Sequence, residues 1–445
     1  MSTKQSSALT TIVGPFQRFM KVEAAGGILL LVCTAIAMIM ANSGLSDFYN
    51  RTVNWELSVQ VGNVFKLSKP LILWINDGLM AIFFFVVGLE IKREILVGEL
   101  SSFRKATLPI MAAVGGMVIP ATMFAVLQGD NPGSEGWGVP MATDIAFSLG
   151  ILSLLGKRVP LSLKVFLAAF AIADDLGAVV VIAAFYSESI GWDNILIAGV
   201  LFVMLFLSIR SGMRNPTVFL VVSIFIWYYV LKSGLHPTIA GVALAFIMPA
   251  KRRIKLGVFN RVMQSNLKPF ENPDNDDDIL LNKEQLESLD NLEVYFGKVH
   301  SPLQYVEHNL HGFTSFFVMP VFALANAGVL LSAPGGGSVI GPLSYNIAIA
   351  LVAGKVLGIL IFAWIGVKLK ITDLPQGTNW TQMAGLGFLG GIGFTMSMFI
   401  SSLAFQDAGL LNHAKIGILV GSLIAGISGY LLLKSNLKPE IEEAE

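Results

Sequence analysis

The chain has 445 residues, 54% of them hydrophobic and only 13% charged, with a mean hydropathy of +0.70. That leaves far too little polar surface for a soluble globule of this size and points to a polytopic membrane protein. Thirty basic residues balance thirty acidic ones, which gives no electrostatic footprint for nucleic acid, and the single cysteine, Cys33 within an apolar run, excludes a disulfide framework or a thiolate metal cluster.

The polar N-terminus carries Lys4, Arg18 and Lys21 and lacks a small-residue cleavage site, so no signal peptide is expected. Stretches near the roughly 20 residues needed to cross a bilayer then recur twelve times, at about 23 to 42, 70 to 91, 106 to 128, 136 to 153, 160 to 186, 192 to 209, 215 to 231, 234 to 250, 311 to 332, 345 to 367, 382 to 405 and 413 to 433. They are long, continuously apolar and rich in Leu, Ala, Ile and Gly without ten-residue alternation, so helices are expected rather than barrel strands. Lys and Arg gather after the even-numbered spans: Lys92, Arg93, Arg104 and Lys105, then Lys157, Arg158 and Lys164, then Arg210 and Arg214, then Lys251, Arg252, Arg253 and Lys255, and last Lys368 and Lys370. By the positive-inside rule these loops and both termini are cytoplasmic.

Between spans 1 and 2, residues 43 to 69 alternate in character (VNWELSVQVGNVFKL) and read as a ribbon able to pair with a second copy, which makes a homodimer an expectation. Span 4 is short and follows Gly133, Gly136, Gly138 and Pro140, while span 11 holds Gly385, Gly387, Gly390, Gly391 and Gly393. Both are expected to be discontinuous helices, because irregular backbone at membrane depth survives where it is buried in protein or lines a polar cavity. Each lies at the centre of a triplet, spans 3 to 5 and 10 to 12, and the two triplets enter the membrane from opposite sides. The expected fold class is therefore all-α, with twelve transmembrane helices and two inverted-topology repeats. One integral domain is expected over 1–445, interrupted at 251–309 between spans 8 and 9 by a hydrophilic insertion that reads as a solvated linker. It carries an acidic run, Asp274 to Asp278, and a short helix capped by Asn282 with Gln285 at its third position.

Four charges lie deep in apolar spans: Asp144 in VPMATDIAFSLG, Asp174 and Asp175 in AIADDLGAV, and Lys355 in IALVAGKVLGILIF. Charge at such depth costs several kcal/mol and is kept mainly where it pairs, binds or titrates. Neighbouring helical residues point about 100° apart, so Asp174 and Asp175 face different surroundings. A carboxylate with hydroxyl oxygens nearby, such as that of Thr143, is a hard-oxygen site suited to sodium or lithium, and protonation removes it. Competition between a proton and a cation for one set of oxygens, with access alternating between the two faces, suffices for an exchanger. Lys355 is equally placed to form an ion pair with one aspartate, and Ala350, Gly354 and Gly358 beside it form a stripe that admits another helix closely.

At these residues the chain resembles the NhaA family of sodium/proton antiporters. The matching motifs run through nearly its whole length: NDGLMAIFFFVVGLEIKRE (76 to 94), ATDIAFSLG (142 to 150), AIADDLGAVV (171 to 180), LKSGLHPTIAGV (231 to 242), FALANAGV (322 to 329), AGKVLGI (353 to 359) and GIGFTMSMFI (391 to 400). The resemblance implies ion binding by Asp174 and Asp175. It also implies charge compensation and site support by Thr143, Asp144 and Lys355, and a pH response involving Glu90, Arg93, His236 and Glu307. It further implies electrogenic exchange of more than one proton per sodium (or lithium) ion, no resident cofactor, and residence in the bacterial inner membrane. From the residues alone, Glu90 with Arg93 three positions on reads as a helix-end ion pair and His236 as an interfacial residue. The 251–309 insertion departs from the family's loop, so a pH set-point does not transfer. Rival readings lack their signatures: no GxGD or PAL motif for an intramembrane aspartyl protease, no filter motif for a channel, and no GxxxxGK[ST] loop for a pump.

Overall fold

The computed structural model describes residues 25–62, 65–187, 190–213, 215–252, 254–270, 280–331 and 340–437. The charged N-terminal stretch, Glu188, Arg214, Arg253 and the acidic run at 274–278 lie outside the described residues.

The described residues are mostly helical. Helix α1 (Ala25–Ala41) turns through 115° into the short α2 (Ser46–Val53). An antiparallel hairpin follows, β1 (Glu56–Val61) with β2 (Phe65–Pro70), in the register Glu56↔Pro70 and Ser58↔Ser68. Here the alternation seen in the sequence is a two-stranded ribbon with most of its side chains exposed. Three long helices come next: α3 (Leu71–Val97), with a π turn at Ile75–Leu79, and α4 (Phe103–Gln128), then, beyond a 3-10 stretch Ser134–Met141 and α5 (Ile145–Leu154), α6 (Leu161–Phe185). Helices α7 (Trp192–Arg210), α8 (Pro216–Lys232) and α9 (Thr238–Ile247) complete the first half.

The described residues of 251–309 are largely helical. They hold α10 (Leu256–Leu267) and α11 (Lys283–Val299), which pack on each other with Phe259 and Phe296 in edge-to-face contact at 5.5 Å. The Asn282 side chain accepts from Gln285 N–H while the Gln285 side chain accepts from Asn282 N–H, so the expected capping box starts α11. Leu303 N–H donates to the Pro249 carbonyl at 3.1 Å, bringing the two ends of the insertion to one point.

The second half begins with α12 (Pro302–Phe313), a π turn Thr314–Val318 and α13 (Met319–Asn326). It continues with α14 (Pro342–Lys368), which carries a π turn at Ala350–Gly354, and with α15 (Trp380–Gly390), α16 (Phe394–Ala404) and α17 (Ala408–Asn436). Helices α15 and α16 meet at a 46° bend. Among the described residues seven helices are long and apolar enough to cross a membrane singly, and up to nine if each bent pair counts as one.

The core lies where the two halves touch. Helix α4 packs on α14 and α6, and α17 packs on α14 and α15. Glycine permits the α4 to α14 approach, because a methyl group on Gly115 would overlap the Gly358 carbonyl oxygen, and one on Gly354 would lie 2.7 Å from the Pro120 Cα. The expected small-residue stripe beside Lys355 thus seats α14 against α4.

Candidate functional site

The site is built where two interrupted helices cross. Before α5 the chain is extended at 142–144, and between α15 and α16 it is irregular at 391–393. Interrupting a helix exposes carbonyls at one break end and N–H groups at the other, and each needs a partner in a dry interior. The two segments supply them to each other. Asp144 N–H donates to the Ile392 carbonyl at 2.6 Å. Thr143 Oγ1 donates to Gly390 O at 2.7 Å and Ser148 Oγ to Leu389 O at 2.7 Å, so both hydroxyls satisfy carbonyls at the C-terminal end of α15. Ser397 Oγ, from the first turn of α16, does the same for Val139 O at 2.7 Å.

Asp144 joins the two helix N-termini. Its Oδ1 caps α5 by accepting from Phe147 N–H at 3.1 Å, and its Oδ2 accepts from Thr395 N–H at 3.1 Å and from the Thr395 hydroxyl. One carboxylate therefore lies against the positive ends of α5 and α16, where anionic charge is favoured. Lys355 finds its partner in an aspartate.

Asp174 and Asp175 stand midway along α6, both buried. Lys355 Nζ, itself fully buried, donates to both carboxylate oxygens of Asp174 at 2.8 Å, and its ammonium lies 5.6 Å from the centre of the Phe170 ring. Thr143 adjoins Asp174 through its backbone and its hydroxyl. The π turn at Ala350–Gly354 ends at Lys355, so the extra residue in that turn fixes which way the lysine leaves α14. Asp175 points elsewhere, as the 100° step requires. Its Oδ1 is buried with no hydrogen-bond partner, and the residue lines a cavity of about 50 Å³ together with Asp144, Ile145, Met319 and Met396. That space is enough to admit water.

Glu90 and His311 line the same cavity, with Glu90 Oε1 3.4 Å from His311 Nδ1. Beside them Arg93 pairs with Glu94 at 3.2 Å and with Glu307 at 3.1 Å. The sequence reading of Glu90 with Arg93 as a local pair is replaced: each finds its partner on α12 or farther along α3. Glu307 lies before the start of span 9, and burial outweighs the Arg93 guanidinium to push its carboxyl up to about 7. Glu90, Arg93 and Glu307 are thus brought together, with His311, which sequence reasoning passed over. His236 is not among them. It is buried near the start of α9, shares a 2.8 Å hydrogen bond between Nδ1 and Thr238 Oγ1, packs edge-on to Phe399, and lies 3.9 Å from Asp77. Asp77 is thirteen residues from Glu90 along α3, roughly 20 Å at the helical rise, so His236 belongs to the opposite end of the molecule. Asp77 is gripped there by Lys69 of the hairpin at 2.7 Å.

Sequence reasoning also passed over Ser148, Thr395 and Ser397. They are ordinary hydroxyl residues in apolar spans, and their one signal is proximity to glycine-rich interruptions whose backbone needs partners. Among the described residues no cluster of three or more His, Cys, Asp or Glu side chains is arranged to hold a metal. The donors on hand are two carboxylates with nearby hydroxyl and carbonyl oxygens, which suit a hard cation passing through.

Comparison with known proteins finds relatives of nearly the whole chain. The family model described as Na+/H+ antiporter 1 matches residues 17–433. The Na(+)/H(+) antiporter NhaA of Oleidesulfovibrio alaskensis is 47% identical over 428 residues, covering 96% of this chain and 95% of that protein. That of Bacteroides thetaiotaomicron is 46% identical over 432 residues, covering 95% and 98%. Na(+)/H(+) antiporter NhaA 1 of Saccharophagus degradans is 44% identical over 426 residues, covering 95% and 91%. With a match that runs from before α1 to the last turns of α17, and relatives this similar over nearly their whole lengths, the chain belongs to the Na+/H+ antiporter 1 family.

Proposed function

We propose that this chain exchanges sodium, or lithium, for protons across the bacterial inner membrane by alternating access. The observation that carries this reading is the asymmetry of the aspartate pair: Asp174 is neutralised by Lys355, while the adjacent Asp175 presents a buried oxygen without a hydrogen-bond partner beside a cavity. An oxygen in that position favours whatever positive species reaches it, a proton or a small cation. A cation that engages Asp174 and Asp175 displaces the Lys355 ammonium from Asp174, so its arrival releases one proton from Asp175 and a second from Lys355, which remains as the neutral amine. The exchange is then electrogenic, with more than one proton per sodium ion, and each net charge moved is worth about 2.3 kcal/mol per 100 mV of membrane potential.

In this reading the chain spans the membrane twelve times with both termini cytoplasmic, α4 to α6 and α14 to α17 form the inverted-topology repeats, and each triplet centres on its interrupted member. Glu90, Arg93 and Glu307, with His311 beside the cavity, form the pH-responsive entrance, Glu307 changing charge near neutrality. His236 with Asp77 then serves the opposite entrance. The hairpin β1–β2 pairs two copies into a homodimer.

The test is a vesicle assay. In membrane vesicles with an imposed proton gradient, sodium addition dissipates the gradient, and Asp175→Asn and Asp174→Asn each abolish that response while the folded protein persists. Wild-type indifference to sodium and to lithium rejects the proposal.

A further inference from the structure

We propose that α10, with the basic residues that lead into it, rests on the membrane leaflet at which α9 ends and binds anionic phospholipid headgroups. Residues 251–270 contain six basic side chains, Lys251, Arg252, Arg253, Lys255, Arg261 and Lys268, and no Asp or Glu. The segment leaves the bundle at a fixed place. Lys92 Nζ donates to the Phe246 and Met248 carbonyls at 2.6 Å each, and Leu303 N–H holds Pro249 at 3.1 Å. Lys251 thus follows α9 by only three residues, and the basic run begins at headgroup depth.

Two further observations separate this segment from an ordinary solvated loop. No residue of α10 is buried, and Leu256, Leu267 and the following Phe270 are 53%, 43% and 37% exposed. Its basic residues also stay apart from available partners: α11 carries Glu284, Glu287, Asp290 and Glu293, yet among the described residues Lys251, Arg252, Lys255, Arg261 and Lys268 enter no ion pair. A helix with exposed apolar side chains, no acidic residue and basic residues flanking both ends lies in the interface plane, its apolar groups sunk roughly 5–10 Å into the headgroup boundary. Juxtamembrane basic clusters of this size are drawn to anionic lipid surfaces, and the long Lys and Arg stems let the charges reach phosphate while their methylenes stay against the acyl region. The acidic α11 then forms the water-facing layer of the hairpin. The inference stands on the segment's own chemistry and on its nearness to the bilayer, whichever ion the chain carries.

The experiment uses the full chain with Cys33→Ser and Val258→Cys, the new thiol labelled with an environment-sensitive fluorophore, in vesicles of phosphatidylcholine alone or mixed with phosphatidylglycerol. The expected result is blue-shifted emission in the mixed vesicles relative to phosphatidylcholine. Molar salt, which shortens the screening length to about 3 Å, reverses the shift, and the combined changes K255Q, R261Q and K268Q remove it. Because α10 packs on α11 and not on the transmembrane core, that variant keeps the wild-type unfolding temperature, measured in parallel. Equal emission in the two lipids overturns the proposal. So does a blue shift that survives both pure phosphatidylcholine and the three substitutions, which means that protein, not lipid, covers the helix.

Discussion

Asp174 and Asp175 are one residue apart and have opposite environments, and the cause is geometric. The helical step sends one carboxylate to Lys355 and the other to a cavity. Removing one member of a buried pair leaves an uncompensated charge, so Lys355→Ala is expected to cost about 3–5 kcal/mol of stability. The double change Lys355→Ala with Asp174→Asn recovers most of that loss. Thermal unfolding in detergent checks this, and an unchanged melting temperature for Lys355→Ala contradicts the pairing. Glu307 gives a pH prediction of defined sign. Its folded value of about 7 lies above the ordinary 4.5, so its contribution is greatest below 4.5 and is lost as pH rises through 7. Glu307→Gln removes this dependence, and wild type should lose up to about 3 kcal/mol relative to the variant between pH 4.5 and 8. Parallel pH profiles of stability for the two proteins contradict the assignment. At this scale the sequence is informative where charge conflicts with apolar surroundings, as at Asp144, Asp174, Asp175 and Lys355. It is silent for Ser148, Thr395 and His311, whose roles come from contacts with residues 241, 251 and 221 positions away.

Among the elements, Gly and Pro concentrate around the non-helical backbone at 142–144 and 391–393, but the hydrogen bonding of one segment to the other was not legible, since it depends on how the two cross. Thr395→Val deletes the hydroxyl donor to Asp144 while leaving the backbone donor, and a loss of about 1–3 kcal/mol is expected, read from denaturation. No measurable loss argues against Asp144 as the tie between α5 and α16. Gly358→Val inserts bulk where α14 meets the Gly115 carbonyl and should cost at least about 1–3 kcal/mol, whereas Gly257→Val, with open space around it, should be tolerated in packing terms. Hydropathy reads apolar length, not helix length. Helix α9 has 10 residues and spans only about 15 Å at the helical rise, and the apolar stretch of span 9 is divided by a π turn and leaves the helix after Asn326. The capping box of α11 was visible because Asn282 and Gln285 carry its chemistry locally. Helix α10 was not, being short and stopped by Pro269.

In the whole molecule, overall helical organisation was legible from composition and apolar periodicity alone, while the packing of one half against the other was not. The hairpin is tied to the bundle by Lys69 on Asp77 and by Trp74 Nε1 donating to Leu57 O at 3.0 Å, so its position is set by the same end of α3 that faces His236. If the hairpin joins two copies as proposed, deleting 56–70 converts the dimer to a monomer by mass in detergent, and an unchanged mass excludes the hairpin as the dimer contact. The central claim is that buried carboxylates hold either a proton or an alkali cation. Its most direct measurement is proton release from purified protein in weakly buffered detergent, followed with a pH indicator as sodium is added. The account predicts release that saturates with sodium, is absent with choline, and disappears in Asp175→Asn; sodium binding detected by calorimetry with no proton released contradicts it.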